Sequence, residues 1–382
     1  MLGIFIGIAA VVALVSLGQG FQQTINEQFE KVGADKIIVQ AKDVGFGGSE
    51  NTPGQLTKDD LRVVGRARGV VERAGQLFQS AFVEFNDIQR TRFVMSIPSH
   101  QGEADLIDAF MTWGAEDGRL ISHRDTNKVV IGHDIAHKNV FEKEVRVGNK
   151  IRVNGETFKV VGIAKRTGDP GMDGGVVMSE NDLRDLLGIE EAYTYLVVQT
   201  AASEDPEDVA KSIEREIRRD RDQEEGEEDF TVQTSTELIE SFNSVLLVVQ
   251  VVFVGIALIS LLVGGIGIMN TMYTAVLERT REIAVMKAIG AKNRDILRIF
   301  LIESGLLGLV GGVIGVLIGA GISKSVEVAV NAAVGAGTLF AVYPFYLIAG
   351  TLAFSTFVGM LSGYFPARRA SRLQPADNLR YE

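Results

Sequence analysis

The sequence predicts a membrane protein: four transmembrane α-helices, with a large α+β extracytoplasmic domain inserted between the first and the second. Three observations carry this. Residues 245–272 form a run of 28 without a charge, and further apolar stretches lie at 1–17, 299–322 and 345–364. Charge is unevenly divided: residues 24–240 hold 42 acidic and 27 basic side chains, the remainder 7 and 11. The basic residues of the apolar part gather in two short segments, 278–298 and the last residues of the chain.

Residues 1–23 are the first span. Met1–Leu17 would reach ~26 Å as a helix, slightly short of the ~30 Å hydrocarbon core. No Lys or Arg precedes Lys31, so the basic leader of a signal peptide is missing and an uncleaved anchor is expected. Its shortness suggests a span clipped at its N-terminus.

Residues 24–240 alternate strand and helix signals. Strands are expected at Lys36–Ala41, Lys128–Gly132, Lys150–Gly155, Phe158–Ile163 and Tyr195–Thr200. Asn154-Gly155 is a hairpin turn, and Gly45–Gly54, with its glycines and a proline, is a loop. Thr57 with Asp60, and Ser179 with Asp182, resemble helix N-caps. Asp205-Pro206 opens a helix through Arg219. The acidic run Asp220–Asp229 is read as a solvated loop or, alternatively, a cation site without EF-hand spacing. Thr234 and Glu237 form a capping box that starts a helix flowing into the second span, 241–276. As a helix, its charge-free core would reach ~42 Å, beyond the bilayer's thickness.

An inner segment, 277–295, precedes the third span, 296–322. A short outer loop, 323–344, leads to the fourth span, 345–364, and a tail, 365–382. Positive charge orients these elements. Arg279, Arg281, Lys287, Lys292, Arg294 and Arg298 mark the inner segment, and Arg368, Arg369, Arg372 and Arg380 the tail, whereas the outer loop carries only Lys324. Both termini are therefore expected in the cytoplasm and residues 24–240 outside, in a multi-pass protein of the plasma membrane.

The chain has no cysteine, which excludes disulfides and thiolate metal sites. The acidic excess argues against nucleic acid and hints at a salt-rich habitat. No G-x-x-x-x-G-K-[ST] occurs, so the chain is not expected to be an enzyme that hydrolyses nucleotide itself; no catalytic residue is assigned. His133 and His137 share a helix face at zinc-site spacing. However, Asp134 replaces the usual glutamate and only His100 and His123 remain as further imidazoles, so no metal site is expected.

Within the inner segment, Glu278, Arg281 and Glu282 form a polar stripe. Ile283, Met286, Lys287 and Gly290 continue at helical spacing, with Val285 and Ile289 alongside. Gly290 suits a helix C-terminus and Asn293 a following cap. Two readings stand: an amphipathic helix lying on lipid, or a knob that docks into a soluble partner. Gly308, Gly311, Gly312, Gly315 and Gly319 give overlapping G-x-x-x-G pairs suited to close helix approach, either within the subunit or against another. Gly3/Gly7 and Ser260/Gly264 follow the same logic. Glu303 is either interfacial, paired with Arg298 or Arg294, or functional inside the bundle.

The chain resembles the MacB/FtsX-type permeases of ABC transporters over essentially its whole length. The motifs that carry the resemblance are LGIFIGIAAVVALVSLGQG, GIGIMNTMYTAVLERTREIAVMKAIGAKNRDIL and GYFPARRASRLQPADNLRYE. The resemblance implies a stand-alone permease subunit without the fused ATPase, paired with a second permease subunit in a homodimer and served by two ABC ATPase subunits. An extracytoplasmic adaptor is a further implied partner, beside the lipid bilayer. It implies that Glu278–Gly290 is a coupling helix, with Glu278, Arg279, Arg281, Glu282, Met286, Lys287 and Gly290 at the ATPase. The chain would bind no cofactor; ATP and Mg would act through the partner. The implied function is mechanical coupling of ATP hydrolysis to an outer domain for export. The alternative is an FtsX-like relay that activates an extracellular partner without transport. The family's cytoplasmic helix before the first span has no counterpart in this sequence.

Overall fold

The computed structural model describes residues 2–42, 55–138, 140–333 and 339–373. The loop expected at Gly45–Gly54 and the tail beyond Leu373, with Arg380, lie outside the described residues. The chain divides into an outer unit, residues 24–242 and 332–338, and a helical unit formed by the rest.

Helix α1 (Leu2–Val32) opens the chain. Then follow β1 (Lys36–Ala41), β2 (Leu56–Thr57), α2 (Lys58–Val64), β3 (Val70–Gln76), β4 (Phe78–Phe85), β5 (Ile88–Ile97) and α3 (Gln101–Met111). Next come β6 (Ala115–Gly118), β7 (Lys128–Ile131), α4 (His133–His137), β8 (Lys150–Val153), β9 (Glu156–Ala164), α5 (Pro170–Asp173) and β10 (Val176–Ser179). The outer unit ends through α6 (Glu180–Leu187), β11 (Ala192–Tyr193), β12 (Tyr195–Thr200), α7 (Pro206–Asp220) and β13 (Phe230–Thr234). Four helices complete the chain: α8 (Ser235–Glu278), α9 (Thr280–Ala288), α10 (Asn293–Ala333) and α11 (Phe345–Ser371).

The outer unit holds a mixed seven-stranded sheet, β6-β9-β7-β10-β5-β4-β8, and an antiparallel four-stranded sheet, β13-β1-β12-β3. Apolar residues of both sheets are fully buried, among them Phe158, Ile151, Val130 and Val197, together with Phe141 from the connection between α4 and β8. Each of the five expected strands is present. Asn154 and Gly155 have φ of 46° and 90°, the double positive φ of a type I′ hairpin, and join β8 to β9. A second hairpin, β4–β5, turns at Asn86 and Asp87 with φ of 53° and 58°; no Asn-Gly signal marks it in the sequence. Asp205 caps α7, with Pro206 in its first turn, and α7 buries Val209, Ile213 and Ile217. The acidic run beyond α7 is balanced locally. Arg218 meets Glu225 at 3.3 Å, and Arg221 meets Asp229 at 2.6 Å and Asp60 at 2.7 Å.

The two ends of the outer unit are neighbours in one sheet. Strand β1, which follows α1, pairs antiparallel with β13, which precedes α8, in the register Ile37↔Thr234. The Ser235 hydroxyl donates to the carbonyls of Gly33 and Lys36, both at 3.2 Å. The expected capping box is formed: Thr234 N–H donates to Glu237 at 2.8 Å, and Glu237 N–H to Thr234 Oγ1 at 3.1 Å.

In the helical unit, α1, α8, α10 and α11 are long and apolar enough to cross a membrane. Val245, Val251, Ile259, Leu262, Leu317 and Phe357 are mostly exposed on their surfaces, as hydrocarbon requires. Helix α8 is 44 residues long, ~66 Å at ~1.5 Å per residue. Helix α10 has 41 residues and continues past the apolar stretch, because residues 323–333 bring in charged and polar side chains but no Gly or Pro to end it. Pro366 sits inside α11.

Small residues bring the helices together. An added methyl at Gly3 would stand 2.8 Å from the Gly264 nitrogen, and one at Gly308 3.0 Å from the Gly359 Cα. Gly312 faces Leu352 and Ser355 of α11, while Gly311, Gly315 and Gly319 face Ile4, Ile8 and Val12 of α1. The five glycines of the G-x-x-x-G pairs thus line contacts inside the subunit.

Candidate functional site

The site is the turn between α8 and α10. Only Arg279 separates α8 from α9, and the backbone stays bonded across it: Arg279 N–H donates to Ala275 O and Ile283 N–H to Arg279 O, both at 3.0 Å. The Thr280 hydroxyl reaches back to Val276 O at 3.0 Å. The helix ends at Gly290, whose φ of 108° is a conformation that glycine adopts without steric cost. Ala291 N–H then returns to Met286 O at 3.0 Å. Asn293 is the first residue of α10 rather than a cap before it. Asp295 instead accepts from Lys292 N–H at 3.1 Å, closing the new helix's first turn.

One face of α9 is pinned. Ile283 and Ala284 are buried, and Met286 packs beside them against Ile296 and Phe300 of α10 and Ala367 and Ala370 of α11. Burying an isoleucine side chain contributes roughly 1.5–3 kcal/mol, enough to hold so short a helix on the bundle. The Lys287 ammonium donates to the Leu373 carbonyl at 2.7 Å. Arg279 donates to Glu303 at 3.1 Å, so Glu303 is paired with Arg279 and not with Arg294 or Arg298 as expected. Loop closure between α9 and α10 brings the two together, a proximity that sequence spacing along α10 does not reveal.

The seven residues expected at a partner therefore separate. Glu278, Arg281, Glu282 and Gly290 are exposed. Arg279 is half exposed but engaged by Glu303, while Met286 and Lys287 turn into the bundle. The exposed face also carries Val285 and Ile289, the latter 82% exposed. Their apolar character amid charged neighbours was legible in the sequence, but only the buried position of Ile283 shows which way they point.

His133 and His137 lie far from this turn in sequence, on α4 of the outer unit. The structure brings neither His100 nor His123 to them but Glu116 of β6, a carboxylate 17 and 21 positions away that no local spacing marks. The hydrogen bond from His133 chiefly holds the Glu116 carboxyl below its ordinary value.

Comparison with known proteins covers both units. Residues 1–216 match the MacB-like periplasmic core domain and residues 254–375 the FtsX-like permease C-terminal domain. An uncharacterized ABC transporter permease of Methanocaldococcus jannaschii, MJ1507, is 36% identical over all of this chain and 93% of its own length. The uncharacterized ABC transporter permease YknZ of Bacillus subtilis is 28% identical over all of this chain and 94% of its own. A macrolide export ATP-binding/permease protein, MacB, of Bdellovibrio bacteriovorus is 29% identical over all of this chain, which spans 59% of that protein.

Proposed function

The chain belongs to the MacB/FtsX-type family of ABC transporter permeases, and on that premise we propose that it converts ATP hydrolysis by a separate ATPase subunit into movement of its outer unit, for export of a substrate. It is a multi-pass membrane protein. In this reading two ATPase subunits sit beneath a permease homodimer, with ATP and Mg bound by the ATPase, and an extracytoplasmic adaptor receives the cargo. The basic residues of segment 278–298 favour a cytoplasmic position for the α8–α10 turn.

The observation that carries the proposal is the continuity of α8. It runs from the capping box at Thr234 to Glu278 without a break and meets α9 across one residue. A helix so bonded is stiff along its axis, so a push on α9 is passed along α8. Contact with the ATPase falls to Arg281, Glu282, Val285, Ile289 and Gly290, with Glu278 at the rim. Met286, Lys287 and Arg279 fasten α9 to α10 and α11, so that α9 and the spans move as one body.

The pairing of β1 with β13 favours a second reading. Two stalks entering one sheet side by side would also serve a relay that activates an extracellular partner without transport. Co-reconstitution of the chain and its ATPase in vesicles separates these. ATP-dependent cargo movement supports export; ATP hydrolysis coupled to activation of an outer hydrolase, with no cargo moved, supports the relay. Hydrolysis indifferent to the permease contradicts both.

A further inference from the structure

We propose that Glu116, His133 and His137 form a binding site for a transition-metal dication of the zinc class on the outer unit. The proposal stands apart from the export reading and uses only residues of that unit.

Two histidines four apart on α4 project side by side, their ring centroids 4.3 Å apart. Both face one carboxylate: His133 Nδ1 lies 2.8 Å from Glu116 Oε2, and His137 Nε2 lies 3.1 Å from Glu116 Oε1. One donor atom from each of the three falls within 4.8 Å of the others. Adjacent donors on an ion with bonds of ~2.1 Å stand about 3.0–3.4 Å apart, so both imidazole–carboxylate separations are already near the edge lengths of a coordination shell. Two imidazoles with one carboxylate suit zinc, nickel or copper rather than magnesium or calcium, which prefer all-oxygen shells.

The backbone aims these groups. Strand β6 is the edge of the seven-stranded sheet, and its register with β9 slips between Ala115 and Asp117. Glu116 is the residue in that bulge, the device by which an edge strand redirects a side chain. On the other side, Gly132 N–H donates to Gly175 O at 2.9 Å and anchors the start of α4. Glu116 and His137 are partly exposed, which gives an ion a path in and leaves its remaining positions to water.

Zn(II) binding to the untagged full-length chain in detergent, measured by competition with a chromophoric chelator, tests this. One Zn(II) per chain is expected. Glu116→Gln, His133→Ala and His137→Ala should each weaken it at least tenfold, while a His100→Ala/His123→Ala double variant stays within twofold of wild type. Zn(II) should also raise the melting temperature of wild type and the double variant but not of Glu116→Gln, whose zinc-free melting should match wild type. Equal Zn(II) affinity in wild type and Glu116→Gln, or loss of binding in the double variant instead, would overturn the assignment.

Discussion

Arg279 donates to both carboxylate oxygens of Glu303, at 3.1 and 3.3 Å. The pair ties the single residue between α8 and α9 to a side chain about three turns into α10. Both partners are partly exposed, Arg279 at 50% and Glu303 at 32%, so the pair contributes about 1 kcal/mol or less to stability. Its larger consequence is positional, because it fixes the angle at which α9 leaves the second span. Arg279→Glu should uncouple the partner's ATP hydrolysis from the permease with little change in melting, and adding Glu303→Arg should restore much of the coupling. A hydrolysis assay on the three variants checks this; failure of the double variant to recover would remove the pair from the account.

Close helix contact at Gly308 predicts a localised cost. A methyl there meets the Gly359 backbone, so Gly308→Ala must push α10 and α11 apart, at about 1–3 kcal/mol. Gly350 has nothing within 4 Å, and Gly350→Ala should be neutral. Thermal melting in detergent, read by size-exclusion, should fall by several degrees for the first and not the second.

The capping box at the start of α8 should behave as a clasp. Glu237→Ala leaves Thr234 N–H without its acceptor and should cost about 1 kcal/mol. That is about a fivefold faster exchange of the amides in the first turn of α8, measurable by hydrogen–deuterium exchange. Unaltered exchange would mean that the strand pairing β1–β13 alone secures the junction.

Acid should loosen the outer unit through Asp125. Its carboxylate is buried and takes Arg119 at 2.5 and 2.8 Å and Lys128 at 2.7 Å. The Arg119 guanidinium foremost, against the opposing effect of burial and with help from Lys128 and the Ser122 N–H, holds its pKa well below the ordinary carboxylate range. A depressed folded pKa gives stability that is fully present above the unfolded value, about 3.9, and is lost as pH falls toward the folded one. The melting difference between wild type and Asp125→Asn should therefore be constant from pH 7 to 5 and shrink below about pH 4.

Much of this arrangement was legible in the sequence because it rests on local signals. Long apolar runs mark the four spans, Asn154-Gly155 names its turn, and Thr234 with Glu237 announces α8. What escaped depends on contacts between distant segments. The β4–β5 hairpin turns on Asn86-Asp87, a weaker signal than Asn-Gly. The partner of Glu303 is 24 positions away, at Arg279. Glu116 meets the histidines only because β6 bulges at the sheet edge. Likewise, Met286 and Lys287 share the periodicity of the exposed residues, and the bundle alone decides that they face inward.

The absence of cysteine makes one measurement direct. Glu282→Cys, alkylated with a benzophenone maleimide and illuminated in membranes that also contain the partner ATPase, should yield a cross-linked permease–ATPase band that grows or fades with nucleotide. A Cys at Glu282 that reacts with impermeant maleimide from outside intact cells, or that cross-links only to lipid, would contradict the claim that force enters the protein through α9.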